Sequence, residues 1–178
     1  NDYLLDIILA ACISVELDRP LFMMIQGASS SGKSKYLELL DNISHFHKLH
    51  CLTSKTLFSG HSDSYGGFIP GVMGKKGILC IPDFTTVLSE SKNNRSEIFS
   101  HLRIAYDGEG GRATGIDVKN IKDRQWRGKI ACIFAVTQKI EHFKKKASDL
   151  GERFLYYRHT AKVIDEDEML AWSTRDSK

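Results

Sequence analysis

The chain has 178 residues, of which 42% are hydrophobic and 26% are charged, and its formal net charge is +3. These values predict one ordinary soluble domain that is long enough to bury a substantial core. No apolar run approaches the roughly 20 residues that span a bilayer, so no membrane partner is expected. The mild positive charge is compatible with a nucleic-acid partner but does not by itself argue for one.

The four cysteines show neither the spacing of a zinc site nor a C-x-x-C pair. Cys12, Cys80 and Cys132 lie within apolar segments, where a free cysteine behaves as a small hydrophobic side chain. We therefore expect a reduced, cytoplasmic protein. The H-x-H-x-x-H run at residues 45–50 has no acidic or cysteine cluster beside it, which favours a polar loop at the start of a strand over a metal site.

Apolar patterning divides the chain into alternating helices and strands, the latter read from short continuous apolar runs. Helices are predicted over residues 3–16, 33–40, 94–106 and 139–149. Strands are predicted at residues 21–25, 50–53, 77–81, 129–136 and 154–157. Glycine-rich stretches predict an irregular or hairpin excursion over 59–76 and a β-hairpin over 109–127. The order predicts an α/β fold, with a mainly parallel five-stranded sheet in a three-layer α/β/α arrangement and an inserted hairpin before the fourth strand.

A glycine-rich loop between the first strand and the second helix carries the strongest functional signal. Residues 27–34 read G-A-S-S-S-G-K-S and match the phosphate-loop pattern G-x-x-x-x-G-K-[ST] in its required strand–loop–helix context. Its glycines allow the backbone N–H groups to approach and cradle phosphates. Lys33 is expected to reach the β- and γ-phosphates, and the Ser34 hydroxyl to bind Mg²⁺. The predicted nucleotide-binding residues are Gly27, Ala28, Ser29, Ser30, Ser31, Gly32, Lys33, Ser34 and Lys35.

One acidic residue, Asp83, follows the hydrophobic strand at 77–81. It lies at the edge where parallel sheets bind ligands, and phosphoryl transfer needs a carboxylate that holds Mg²⁺ or places the attacking water. The structural alternative is a helix N-cap, because an aspartate before Thr85 and Thr86 would serve well there.

The order of these motifs resembles the AAA+ ATPase core, most of all its minichromosome-maintenance-like helicase branch. The likeness covers residues 20–158 and adds a Walker B-like segment at 78–84, a strand ending at the sensor-1 position, and L-G-E-R-F at 150–154, which is similar to an arginine-finger segment. The motif order is also similar to that of ATP-binding proteins of phages and mobile elements. The resemblance implies ATP as the nucleotide, since no guanine-specific N-K-x-D motif occurs.

The resemblance also assigns roles to residues beyond the loop. It implies that Thr137 or Gln138 senses the γ-phosphate and that Arg153 reaches the γ-phosphate of a neighbouring subunit, which requires a ring or filament. The alternative for Arg153 is a surface ion pair with Glu152 or Asp149, worth little energetically.

Two departures from the family pattern stand out. Pro82-Asp83 occupies the place of the family's Asp-Glu pair, so one carboxylate is missing and slow hydrolysis or a nucleotide switch becomes an alternative. Asp63, Glu90 and Glu97 are candidates to replace it. The second departure is at the end of the chain, where residues 160–178 are too few for the helical lid of the family. We expect the lid in a further C-terminal portion, and the start at residue 1 with Asn points to a fragment or a processed form.

The hairpin region is basic, and in the helicase-like branch an inserted hairpin contacts DNA. Basic groups attract phosphates, and an aromatic side chain stacks on bases. The predicted nucleic-acid contacts are Arg112, Lys119, Lys122, Arg124 and Trp126. The alternative is a solvated loop whose charges are partly balanced by Asp117 and Asp123.

The leading hypothesis is an oligomeric, ATP-hydrolysing AAA+ module that acts on DNA, as a helicase core or a loader. It is organised as an N-terminal helix at 1–19, a core at 20–158 and the start of a lid or tail at 160–178. A nucleotide-dependent switch or scaffold with little hydrolysis is one alternative. A P-loop kinase of a small molecule is another, although the helix–hairpin–strand block after Asp83 fits such kinases poorly.

Overall fold

The computed structural model of the chain describes residues 3–61, 64–111, 125–137 and 153–160. The helices are α1 (Leu4–Ile13), α2 (Lys33–Glu38), α3 (Thr85–Ser89) and α4 (Lys92–Asp107). The strands are β1 (Phe22–Gln26), β2 (Phe46–Lys48), β3 (Ser59–His61), β4 (Ser64–Gly66), β5 (Lys76–Ile81), β6 (Glu109–Gly111), β7 (Gln125–Arg127), β8 (Lys129–Val136) and β9 (Phe154–Arg158). A 3₁₀ turn extends α1 at Ser14–Glu16, and a π-helical turn occupies Ile69–Met73.

Five strands form one parallel sheet in the order β2-β5-β8-β1-β9. Strand β8 therefore lies between β1, which leads into the glycine-rich loop, and β5, which leads to Asp83. Because the strands are parallel, all of their carboxyl ends meet at one edge. We call it the C-terminal edge and the opposite one the N-terminal edge.

Both faces of the sheet are covered, because successive strand residues point to opposite sides. Met23 and Ile25 pack with α1 and α2 in one apolar cluster, whereas Phe22 and Met24 pack with α3 and α4 in the other. All five residues of β1 are buried, as expected for a central strand of such a sheet. The predicted three-layer α/β/α arrangement with a five-stranded sheet is confirmed.

Most predicted elements are found close to their expected bounds, and β8 coincides with the predicted strand at 129–136. The strand predicted at 50–53 is wrong, because the second strand of the sheet is Phe46–Lys48. This three-residue edge strand is only half-buried, and its pairing with β5 is extended by the Leu49 N–H, which donates to the Cys80 carbonyl at 2.9 Å. The short helix α3 was not predicted. The helix predicted at 139–149 lies outside the described residues, as do residues 161–178.

The predicted hairpin before the fourth strand is confirmed at its base. Strands β6 and β7 are antiparallel, with Glu109 opposite Arg127 and Gly110 opposite Trp126. Helix α4 ends at Gly108, whose left-handed φ of 75° turns the chain into β6. Residues 112–124, between the two strands, lie outside the described part. A smaller hairpin, β3–β4, lies in the region predicted as an excursion.

The three cysteines predicted to be buried are buried, and the exposed one is Cys51. Burial raises the pKa of Cys12 to about 11 and that of Cys80 to about 12. Within the described ranges, no helix is both long and apolar enough to cross a membrane.

Candidate phosphate-binding site

The glycine-rich loop joins β1 to α2 through a compact backbone turn. Gly32 has a left-handed φ of 83°, and Ser30 adopts a similar φ of 63°. A Cβ atom at Gly27 would lie 2.9 Å from Ser31 Oγ and 3.0 Å from the His159 carbonyl oxygen. A side chain is therefore excluded by crowding at Gly27 and disfavoured by backbone conformation at Gly32.

The side chain of Lys33 folds back over this loop. Its Nζ donates to the carbonyls of Gly27 and Ala28 at 2.9 and 2.5 Å and to Ser31 Oγ at 3.0 Å. Desolvation lowers the pKa of Lys33, and the charge of Asp83 opposes that shift. The ammonium group thus contacts neutral oxygens, and an anion bound in the loop would stabilise its positive charge.

Asp83 lies at the C-terminal edge, directly beyond β5. Its Oδ1 accepts from the N–H of Thr85 at 3.0 Å, and its carbonyl accepts from the Thr86 hydroxyl at 2.9 Å. Asp83 therefore makes hydrogen bonds to the first residues of α3, as the capping alternative requires. The carboxylate is exposed at the same time, at the edge of the sheet that also carries the loop.

Thr137 connects the end of β8 to the segment that carries Asp83. The N–H of Thr137 donates to Thr85 Oγ1 at 3.1 Å, and the two hydroxyls are 3.5 Å apart. The sheet order thus brings the loop, Thr137 and Asp83 to one edge of the sheet. Gln138, the alternative sensor, lies outside the described residues.

The predicted Mg²⁺ ligands are a hydroxyl and a carboxylate, which are the oxygen donors that this ion prefers. Ser34 is exposed in the first turn of α2. One or two protein ligands suffice when phosphate oxygens and waters complete the shell. Lys35, which was predicted to bind the nucleotide, forms an ion pair at 3.0 Å with Glu38 of the same helix. Among the described residues, no group of three or more His, Cys, Asp or Glu side chains forms a further metal site.

Arg153 lies at the opposite edge of the sheet, immediately before β9. Its guanidinium is 3.9 Å from the Asp107 carboxylate and 5.5 Å from the centre of the Tyr106 ring. The five residues of β9 separate Arg153 from the loop edge by roughly 16 Å. The acidic partners expected for Arg153, Glu152 and Asp149, lie outside the described residues. A surface cavity of about 230 Å³ adjoins the Arg153–Asp107 pair, far from the loop.

The expectation that Trp126 stacks on a nucleobase conflicts with its position. The indole is 6% exposed, its N–H donates to the Gly74 carbonyl at 2.8 Å, and its ring packs edge-on against Phe58. Its face is therefore covered by the protein core. The basic candidates Arg112, Lys119, Lys122 and Arg124 lie outside the described residues, so DNA contact by them stays a prediction.

Two polar residues at the loop were not predicted. His159, which directly follows β9, is buried, and its Nε2 lies 2.9 Å from the Ser31 carbonyl oxygen. Gln26, the last residue of β1, is 7% exposed, and its Nε2 has no hydrogen-bond partner within the described part of the chain. Their positions in the sequence could have indicated them, since each is a polar residue at the carboxyl end of a strand, where such sheets bind ligands.

No protein-family profile and no curated protein sequence matches the chain. Solved structures do match: NtrX from Brucella abortus in complex with ATP is 14% identical, with a TM-score of 0.55 over 98% of this chain and 41% of that one. NtrX from the same organism in complex with ADP is 16% identical, with a TM-score of 0.50 over 82% and 34%. The chain thus spans well under half the length of these proteins. At such identities the likeness shows the fold alone, and the chain has a P-loop NTPase-like fold.

Proposed function

We propose that the chain binds ATP with Mg²⁺ in the glycine-rich loop and hydrolyses it as part of an oligomeric module that acts on DNA. One observation carries the proposal: Lys33 is folded over a loop with two left-handed residues, at the edge of the sheet where Asp83 also lies. Backbone N–H groups and one ammonium group are the donors that a nucleoside triphosphate requires. The NtrX structures contain ATP or ADP in a protein of the same fold.

Hydrolysis would follow from positioning and charge stabilisation. Ser34 and Asp83 would hold Mg²⁺, which would neutralise charge on the phosphates. Lys33 would stabilise negative charge on the phosphate oxygens, and Thr137 would orient the γ-phosphate through its hydroxyl. Attack of water on the γ-phosphorus would break its bond to the β–γ bridging oxygen, and ADP, inorganic phosphate and a proton would be released.

The position of Arg153 supports an oligomer. A strand length separates Arg153 from its own loop, so a role for this side chain in catalysis requires the loop of a neighbouring copy. Its present partner, Asp107, is 3.9 Å away at a half-exposed surface, where an ion pair is worth little and is exchanged readily.

A nucleotide-dependent switch with little turnover is the second candidate. Pro82 stands where the family has a metal-binding aspartate, and Asp83 Oδ1 already accepts the Thr85 N–H. One carboxylate that already accepts a hydrogen bond is poorly suited both to hold Mg²⁺ and to activate water.

Steady-state ATP hydrolysis over a range of protein concentrations separates these candidates, with Lys33→Ala as the blank. Mixing Lys33→Ala with Arg153→Ala tests the oligomer, because one variant keeps the arginine and the other keeps the loop. We expect each variant to be inactive alone and the mixture to regain activity. Arg127→Ala, which removes an exposed arginine paired with Glu109 at 3.6 Å, is the matched control.

Turnover that rises more than linearly with concentration, increases with single-stranded DNA and is restored in the mixture supports the motor. Tight ATP binding with no turnover above the blank contradicts hydrolysis and supports the switch. Turnover that DNA leaves unchanged contradicts the proposed partner alone.

A further inference from the structure

We infer that His159 is a positioning residue that aims the Gly32 N–H of the loop at a bound phosphate. The inference rests on the proposed nucleotide binding. It concerns a buried residue whose imidazole contacts a backbone carbonyl of the loop, that of Ser31.

His159 is held in place by contacts with β1 and α2 and by its burial. Its backbone N–H donates to the Gln26 carbonyl at 2.7 Å, which continues the β1–β9 pairing by one step. Its ring packs edge-on against Tyr36 of α2, with ring centres 5.9 Å apart. The residue is 7% exposed, so the imidazole has little freedom to turn away from the loop.

The hydrogen bond to Ser31 fixes one peptide plane of the loop. A carbonyl oxygen only accepts, so Nε2 carries the hydrogen in the 2.9 Å contact with Ser31 O. The Ser31–Gly32 peptide is planar and trans, which makes its C=O and N–H point in opposite directions. With the oxygen held against His159, the Gly32 N–H is directed away from the protein interior.

We infer that the Gly32 N–H faces the open side of the loop, because the residue is exposed and its surroundings are uncrowded. No heavy atom lies within 4 Å of the place where a Cβ of Gly32 would be. A glycine with φ of 83° also has alternative backbone conformations, so this peptide would rotate easily without an external hold. His159 therefore keeps a phosphate donor in its binding orientation before the ligand arrives, which reduces the entropic cost of binding.

The test compares the affinity for ATP with Mg²⁺, by titration calorimetry, across variants at position 159. His159→Met keeps the bulk and removes the N–H, and we expect ATP binding about tenfold weaker or more. His159→Gln places an amide N–H near the original Nε2, and we expect it to restore the affinity. The side chain of His159→Asn is one methylene shorter than that of His159→Gln, too short for the hydrogen bond to the Ser31 carbonyl. We therefore expect this variant to bind ATP weakly.

His101→Met is the matched control, because it removes another buried histidine, on α4 beside Phe58. Each variant is measured at a temperature at which circular dichroism shows it folded, and the Asn and Gln variants decide the question if the methionine variant does not fold. Equal affinities for wild type, Asn and Gln variants overturn the role of His159. If wild type and Lys33→Ala both fail to bind ATP, the proposed function itself fails, and the two failures are thereby distinguished.

Discussion

The lysine of the glycine-rich loop and the basic residues at the N-terminal edge of the sheet have different kinds of partner. Three ion pairs lie along the N-terminal edge: Lys76–Glu16 at 2.5 Å, Lys129–Asp18 at 3.0 Å and Arg153–Asp107 at 3.9 Å. At the C-terminal edge, Lys33 donates instead to neutral oxygens of its own loop. Each of these three basic residues therefore has an acidic partner, as does Lys48 at the end of β2 with Asp41. Lys33 has no direct acidic partner among the described residues.

Two pKa shifts express the difference. The hydrogen bond and charge of Lys76 lower the pKa of Glu16, so the folded protein favours the charged carboxylate. Desolvation lowers the pKa of Lys33, so the folded protein disfavours the charged ammonium. An anionic ligand would stabilise a charge that the protein alone disfavours in this way. The contrast supports ion pairing that stabilises the fold at the N-terminal edge, and it agrees with the anion-binding role that we propose for Lys33 at the C-terminal edge.

The largest expected effect is on ATP binding by the lysines of the two edges. Lys33→Ala removes a charged donor to the phosphates, which weakens ATP binding roughly 10- to 100-fold. Lys129→Ala removes a lysine whose partner is Asp18 and leaves the affinity unchanged. Titration calorimetry with ATP and Mg²⁺ measures both, and equal affinities of the two variants would contradict the division between the edges.

Two left-handed glycines give the next largest effect. Alanine at φ near 80° costs about 1–2 kcal/mol of folding stability, and Gly108→Ala also places its Cβ 2.9 Å from the Gly128 carbonyl oxygen. We expect Gly108→Ala to lose more stability in urea denaturation than Gly32→Ala. ATP affinity is expected to show the reverse order, since only Gly32 lies in the loop. If Gly108→Ala has the larger effect on both stability and ATP affinity, the assignment of phosphate binding to the loop is contradicted.

A smaller effect is expected at the hydroxyl that joins β8 to the Asp83 segment. Thr85→Val removes the acceptor of the Thr137 N–H, which costs about 1 kcal/mol of stability. We expect ATP turnover to fall more than ATP affinity, because the role proposed for Thr137 is to orient the γ-phosphate. Thr86→Val, whose hydroxyl contacts only the Asp83 carbonyl in the described geometry, is the control. A loss confined to affinity would contradict this role of Thr137.

The smallest effect is a pH dependence at the N-terminal edge. Because the folded pKa of Glu16 lies below the ordinary value of 4.5, its stabilisation is present above that value and is lost as the pH falls through the folded pKa. Wild type is expected to be slightly more stable than Glu16→Gln at pH 7, and this difference is expected to shrink as the pH falls below 4.5. Urea denaturation at pH 7 and at a series of acidic pH values measures this difference, with Glu38→Gln as the control for net charge. A difference that persists in acid would rule out the ion pair as its cause.

Local patterning was sufficient for the elements that are long and buried. Strand β8 is an unbroken apolar run, and its bounds followed directly from the sequence. The three-residue edge strand β2 and the five-residue helix α3 carry too few residues for a recognisable period. Their positions depend on hydrogen bonds to distant backbone, such as the Ile78 N–H donating to the His45 carbonyl.

At the site, the local motif could be predicted from the sequence, whereas the long-range contacts could not. The loop, Lys33 and Asp83 follow from a continuous pattern and a strand end. The burial of Trp126 depends on the Gly74 carbonyl, 52 positions earlier, and the role inferred for His159 depends on Ser31, 128 positions earlier. Such pairings arise from the sheet order, which no segment of the sequence encodes on its own.

The most direct test of the central claim compares glycine amides of the two edges by nuclear magnetic resonance. Backbone ¹⁵N–¹H spectra of the full chain are recorded while ATP and Mg²⁺ are added. We predict large shifts for Gly27 and Gly32 in the loop, and unchanged signals for Gly108 and Gly128 at the N-terminal edge. Shifts centred on Gly108 and Gly128, or no shift at Gly27 and Gly32 with ATP in excess, would contradict the assignment of phosphate binding to the C-terminal edge.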